Sequence, residues 1–222
     1  MSLFQFISDF FRDNANWHGA YGIPHRLLEH VEYSLIALGI AAGIALPVGL
    51  VTGHTGRGGN ALALVATAAR ALPSYGLLVL MFFWLGLGLT PVMIPLVALA
   101  VPPILVTTYE AMRTLDPAPV DAARGMGMGP AAVLFQVELP SALPLVLSGL
   151  RSAAIQVVST TAIAATVSLG GLGRFVVDGL YQQNYTIVVG GATLIAGLAL
   201  VTIALFWLVG RFVVSPGVRG RR

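Results

Sequence analysis

Apolar positions dominate this chain in long runs, interrupted by short polar punctuation. Tyr33 to Gly53 is the first run without a charge, and it closes on the glycines at 56, 58 and 59. A helix needs roughly 20 apolar residues to cross a bilayer, so this run predicts a first span over 33–53. From Ala71 to Tyr109 the chain is again uncharged but too long for one crossing, and Gly86-Leu-Gly-Leu-Thr-Pro91 reads as a turn that splits it. The half before that turn is short, which moves the start of the second span back towards Ala61 and carries Arg70 near its entry end. The predicted spans are then 33–53, 61–86, 92–111, 142–168 and 185–210. Ahead of them, Leu3, Phe4, Phe6, Ile7, Phe10 and Phe11 share one helical face, with Asp9, Arg12 and Asp13 largely opposite. Two readings of this segment stand, a helix lying in the membrane interface or a terminus packed loosely on the first span.

The expected fold class is therefore all-α, a polytopic membrane protein with about five transmembrane helices. Its expected organisation is an N-terminal amphipathic segment (1–30), a membrane domain (31–212) with a loop at 114–141, and a basic tail (213–222). Composition agrees with this. Charged residues make up 9% of the 222, hydrophobic residues 57%, and the mean hydropathy is +0.87. So little charge does not cover the surface of a soluble domain, whereas in lipid each span must close its own backbone hydrogen bonds. The chain has no cysteine, which excludes disulfides and thiolate metal sites.

All 12 basic residues are arginine. A phosphate-gripping P-loop needs a lysine, so any ATP hydrolysis is expected from a partner and the chain itself is not expected to be an enzyme. No cofactor or nucleic-acid partner is called for. With five crossings, Arg57, Arg113, Arg124, Arg211, Arg219, Arg221 and Arg222 fall on one side. Arg12, Arg26 and Arg174 fall on the other, among Asp9, Asp13, Glu29, Glu32 and Asp178. The positive-inside rule puts the first side in the cytoplasm, with the N-terminus outside and the C-terminus inside.

The loop at 114–141 carries the most local information. Asp116-Pro117 is a helix start, with a carboxylate to cap and a proline whose missing N–H is not needed there. Val120-Asp-Ala-Ala-Arg124 continues the helix and Gly125 is placed to end it. Pro130 opens a second short helix that Pro140 is expected to stop, giving two helices on the cytoplasmic face suited to docking in a partner's groove.

Asp121-Ala122-Ala123, then Gly127, then Val137-Glu-Leu139-Pro140 resembles the signature of ABC importer permeases. That signature reads Glu-Ala-Ala, three residues, Gly, nine residues, Ile, one residue, Leu-Pro. Aspartate replaces glutamate at 121 and valine replaces isoleucine at 137. The resemblance implies that Asp121, Ala122, Ala123, Arg124, Gly125, Gly127, Leu139 and Pro140 couple the chain to an ATPase. Thr108-Tyr-Glu-Ala-Met-Arg-Thr-Leu-Asp-Pro117, Arg124-Gly-Met-Gly-Met128, Ala71-Leu-Pro-Ser74 and Leu169-Gly-Gly-Leu-Gly173 are further similar to the permeases of osmoprotectant importers.

That narrower resemblance implies uptake of glycine betaine, carnitine, choline or proline betaine across the inner membrane. It implies the small, methionine-permease-like fold and three kinds of partner: two ATP-binding subunits, a second permease (identical or a paralogue) and an external solute-binding protein. A methionine or other amino-acid importer is the neighbouring alternative, and a secondary transporter is the rival from another class.

Polar residues inside spans generally face a bundle interior or a wet cavity. Ser148, Ser152, Gln156, Ser159 and Thr160 recur at three- and four-residue steps, with Arg151 beside them. They are candidates for the translocation path, and Pro73 and Ser74 for a hinge in the second span. Small hydroxyl residues also let helices approach closely, so a packing role stands beside the path. His18, His25, His30 and His54 are read as interfacial or loop residues, since they lack ligand spacing.

Overall fold

A computed structural model describes residues 2–167 and 169–214, without the side chain of Arg70. The expected end of the fourth span at Ser168 and the tail arginines 219, 221 and 222 lie outside the described residues.

Among the described residues all regular structure is helical. In chain order the helices are α1 (Leu3–Arg12), α2 (Ile23–Thr55), α3 (Gly59–Ala71), α4 (Ser74–Leu85) and α5 (Thr90–Arg113). They are followed by α6 (Pro117–Gly125), α7 (Pro130–Val133), α8 (Leu139–Ala164), α9 (Gly173–Tyr181) and α10 (Tyr185–Val213). Among them α2, α5, the run Pro130–Val167 and α10 are each long and apolar enough to cross a membrane, and a fifth crossing is formed if α3 and α4 count as one broken span.

Three boundaries differ from expectation for physical reasons. α2 begins ten residues before Tyr33, because a charge-free run marks the lipid-crossing part of a helix and not the helix itself. The second span is broken at Leu72-Pro73, where proline lacks an N–H and biases the residue before it away from helix.

Pro140 does not stop the second loop helix. A π turn at Leu134–Glu138 joins α7 to α8, with the Leu139 N–H bonded five residues back to the Leu134 carbonyl. That wider turn leads helix past Pro140, and Ser141 Oγ donates to the Val137 carbonyl at 2.7 Å.

The chain divides into two compact units. The first comprises Met1–Ile40, Leu72–Ala100 and Ala154–Thr202. Its core at one end is Phe10, Ile23, Leu172 and Phe175, with the Phe10 and Phe175 rings edge to face at 5.5 Å. Phe10 is fully buried and occupies the space a side chain at Gly190 would need. α1 starts on a capping box between Ser2 and Gln5 and is held at its far end by Asn16 Nδ2 donating to the Phe10 carbonyl at 2.9 Å. It is thus docked through one deep aromatic side chain, while Leu3 and Phe4 stay exposed.

In the same unit, α2 grips the turn before α9. Glu29 Oε2 accepts from the Gly171 N–H at 2.8 Å. Buried His30 accepts at Nδ1 from the Leu172 N–H (3.2 Å) and donates from Nε2 to the Val158 carbonyl (3.0 Å). Gly171 sits at φ +82°, a conformation that glycine adopts without penalty. The interfacial or loop reading of the histidines therefore fails at His30, which is a satisfied core residue.

The second unit comprises Ala41–Ala71, Val101–Ala153 and Ile203–Arg222. Its core is Ala111, Met112, Ala142 and Val146, flanked by Leu46, Leu50 and Leu134. Glycines set its helix spacing: a Cβ at Gly49 would lie 2.8 Å from Thr108 Cβ, and one at Gly53 would lie 2.6 Å from Met112 Cβ. A Cβ at Gly149 on α8 would likewise lie 2.8 Å from Thr107 Cβ. Where lipid supplies no hydrophobic drive between helices, such close backbone approach carries the association.

Candidate functional site

The loop helix α6 forms for the reasons legible in its sequence. Asp116 Oδ1 accepts from the Ala118 N–H at 3.0 Å and Pro117 opens the first turn. Its end is set two residues later than expected. Gly125 is the last helical residue, Met126 the cap, and Gly127 takes φ +84°. The Gly127 N–H bonds to the Arg124 carbonyl at 2.9 Å and the Met128 N–H to the Ala123 carbonyl at 3.1 Å. These two bonds make a complete Schellman motif. Of the three glycines in Gly125-Met-Gly-Met-Gly129, Gly127 alone has a positive φ.

Asp121, Ala122, Arg124, Gly125 and Gly127 are exposed on or just after α6, whereas Ala123 is buried and faces inward. Leu139 is half-buried and Pro140 exposed at the foot of α8. The motif residues thus divide between a presented helix surface and the start of a membrane-length helix.

A cluster behind α6 escaped the sequence reading. The Glu138 side chain is 7% exposed, and its Oε2 lies 2.5 Å from Nδ1 of His54, the penultimate residue of α2. Its Oε1 lies 3.7 Å from Arg124 Nη2. His54 is therefore no free loop histidine. The signal in the sequence is slight, a single acid between the two apolar positions Val137 and Leu139.

On α8, Ser152, Gln156 and Ser159 are exposed along one face and Ser148 is half-buried on it. Ser152 Oγ donates back to the Ser148 carbonyl at 3.0 Å. Thr160 departs from the expected stripe. It is buried, next to Thr161, which accepts a 3.4 Å hydrogen bond from Ser34. Arg151 is half-buried beside the stripe. Pro73 is the N-cap position of α4 and Ser74 its first residue, so both lie at a break between helices and not within one.

Residues 45–220 match the family model described as binding-protein-dependent transport system inner membrane component. The choline transport system permease protein OpuBB of Bacillus subtilis is 32% identical over 80% of this chain and 82% of its own. The carnitine transport permease protein OpuCB of Listeria monocytogenes is 30% identical over 88% of this chain and 87% of its own. The osmoprotectant import permease protein OsmW of Salmonella typhimurium is 32% identical over 95% of this chain and 96% of its own. Among solved structures, an inward-facing form of the MetNI methionine ABC transporter superimposes with a TM-score of 0.75 at 24% identity, covering 87% of this chain and 96% of that one. This likeness concerns the fold.

Proposed function

Since the chain belongs to the binding-protein-dependent transport system inner membrane components, we propose that it is the permease of an ATP-driven importer for quaternary-ammonium compatible solutes such as glycine betaine, carnitine or choline. The relatives named for choline, carnitine and osmoprotectant transport support the substrate class. The observation that carries the ATP-driven part is α6, a short helix with Asp121, Ala122 and Arg124 presented outward and its end fixed by Gly127.

In this reading α3 and α4 make one crossing. The arginine-rich side is cytoplasmic, the N-terminus is outside, and α6 docks in a groove of the ATP-binding subunit. Two permease copies, identical or paralogous, meet two ATPases, and an external binding protein delivers solute. Closure of the ATPases shifts both α6 helices and alternates access to the path. Ser152, Gln156 and Ser159 line that path on α8, since an exposed polar face at membrane depth needs water or a partner to cover it. Thr160 packs behind that face, and the break at Pro73-Ser74 gives the second crossing its hinge.

The test is uptake of labelled glycine betaine in vesicles holding permease, ATPase and binding protein, competed by carnitine, choline and methionine. Competition by the quaternary amines and not by methionine is expected. Competition by methionine alone would move the chain to the amino-acid importers.

A further inference from the structure

Three elements meet on one buried carboxylate. Glu138 belongs to the π turn at the foot of the membrane-length run Pro130–Val167, His54 to the end of α2, and Arg124 to α6. A carboxylate that is 7% exposed must be paired, because leaving it unpaired out of water carries a large penalty. Its two oxygens are paired unequally. The His54 contact at 2.5 Å is short and shielded, with the histidine side chain 18% exposed. The Arg124 contact at 3.7 Å is long, and the arginine side chain is 55% exposed. An ion pair of that kind is weak and screened, and so can be broken and remade at little cost.

The receiving side is stiff. α2 is locked to α5 by the contacts at Gly49 and Gly53, immediately before His54, and α8 to α5 by Gly149. The delivering side is stiff too, because Arg124 accepts one of the two bonds that close α6.

We infer that Glu138 is a positioning residue for the coupling step: it holds His54 through every state and exchanges Arg124, so that displacement of α6 reaches α8 and α2 through one carboxylate. This rests on the reading of α6 as the ATPase-docking helix. When α6 is displaced by a closing ATPase, the long Arg124 contact changes first, and the His54 contact keeps the ends of α2 and α8 together as they follow. Nothing covalent is required, only two contacts of different strength on a shared group.

The experiment measures solute moved per ATP hydrolysed, in vesicles holding the full complex of permease, ATPase and binding protein. Glu138→Gln keeps an oxygen for His54 and the side-chain shape while removing the charge. It is expected to lower the ratio on the order of tenfold, and Arg124→Gln by about 2- to 5-fold. Arg124→Lys, which keeps the charge on a shorter reach, is expected to retain most of it. The double variant should be no worse than Glu138→Gln alone, because both substitutions break one interaction.

An unchanged ratio in both Arg124→Gln and Glu138→Gln, or losses that add in the double variant, would overturn the inference. Arg124 is exposed, so its variants answer even if Glu138→Gln assembles badly. The native chain has no cysteine, so Ala122→Cys on α6 gives a single cross-linking site that separates the two readings. Absence of a cross-link to the ATPase refutes docking and the relay with it. A cross-link with unchanged ratios refutes the relay alone.

Discussion

Replacing Gly127 isolates one backbone conformation in the segment that carries the functional reading. A Cβ at this position meets nothing within 4 Å, so a substitution introduces no clash. What it introduces is a left-handed residue at φ +84°, which costs about 1–2 kcal/mol for a non-glycine residue. The chain can instead leave that conformation, but it then gives up the Gly127 and Met128 N–H bonds, each worth about 0.5–1.5 kcal/mol. Both routes lead to a similar figure, so Gly127→Ala should reduce the population of the closed motif about 5- to 30-fold.

Asparagine tolerates this region, so Gly127→Asn should cost less, and the β-branched Gly127→Val more. Gly125→Ala is the control. Its position is helical with open space around it, and alanine there should gain about 0.5–1 kcal/mol. Amide hydrogen exchange at Met128 reads the motif directly. Faster exchange in the order Asn, Ala, Val is expected, with Gly125→Ala no faster than the parent. Unchanged exchange in Gly127→Val, or equal acceleration in Gly125→Ala, would refute the reasoning.

Gly190→Ala places a methyl group where the Phe10 ring lies. Expelling that ring forfeits on the order of 3–5 kcal/mol, so α1 should lose exchange protection while α8 keeps its own, and retained protection over Leu3–Arg12 would contradict this. His30→Ala leaves the Leu172 N–H unpaired in a buried site, removes the second hydrogen bond on the Val158 carbonyl of α8, and opens a cavity the size of the ring. The expected loss is about 3–5 kcal/mol, seen as a lower thermal unfolding midpoint in detergent, against a change within about 0.5 kcal/mol for exposed His25→Ala. If Gln156 and Ser159 line the path, Gln156→Leu with Ser159→Ala should lower uptake several-fold while assembly stays normal, and full uptake would assign the exposed stripe to helix packing.

The long apolar helices were legible because lipid imposes a simple demand, a run of apolar residues long enough to span it. Residues 92–111 and 185–210 fall inside α5 and α10 for that reason. Asp116-Pro117 was legible because capping is local. The errors came where distant residues or an unusual turn overrode a local rule. Pro140 reads as a helix stop until the π turn before it is seen. Phe10 reads as one of several apolar residues on a helix face that is either interfacial or loosely packed, and its special role depends on Gly190 lying opposite.

His30 and His54 have partners 128 and 84 residues away, and histidine composition alone does not tell a core ring from a surface one. Glu138 stands between the apolar positions Val137 and Leu139, and nothing local in that pattern tells a buried, paired acid from a solvated one. Gly125 and Gly127 are equally good helix ends on paper, and only the hydrogen bonds of the closed turn assign the left-handed position.

Uptake into vesicles containing only this permease, its ATP-binding subunit and the solute-binding protein tests the central claim most directly. Accumulation of glycine betaine is expected when ATP is on the ATPase side with all ion gradients collapsed, and none when the ATPase is left out. Accumulation driven by an ion gradient without any ATPase would contradict the account.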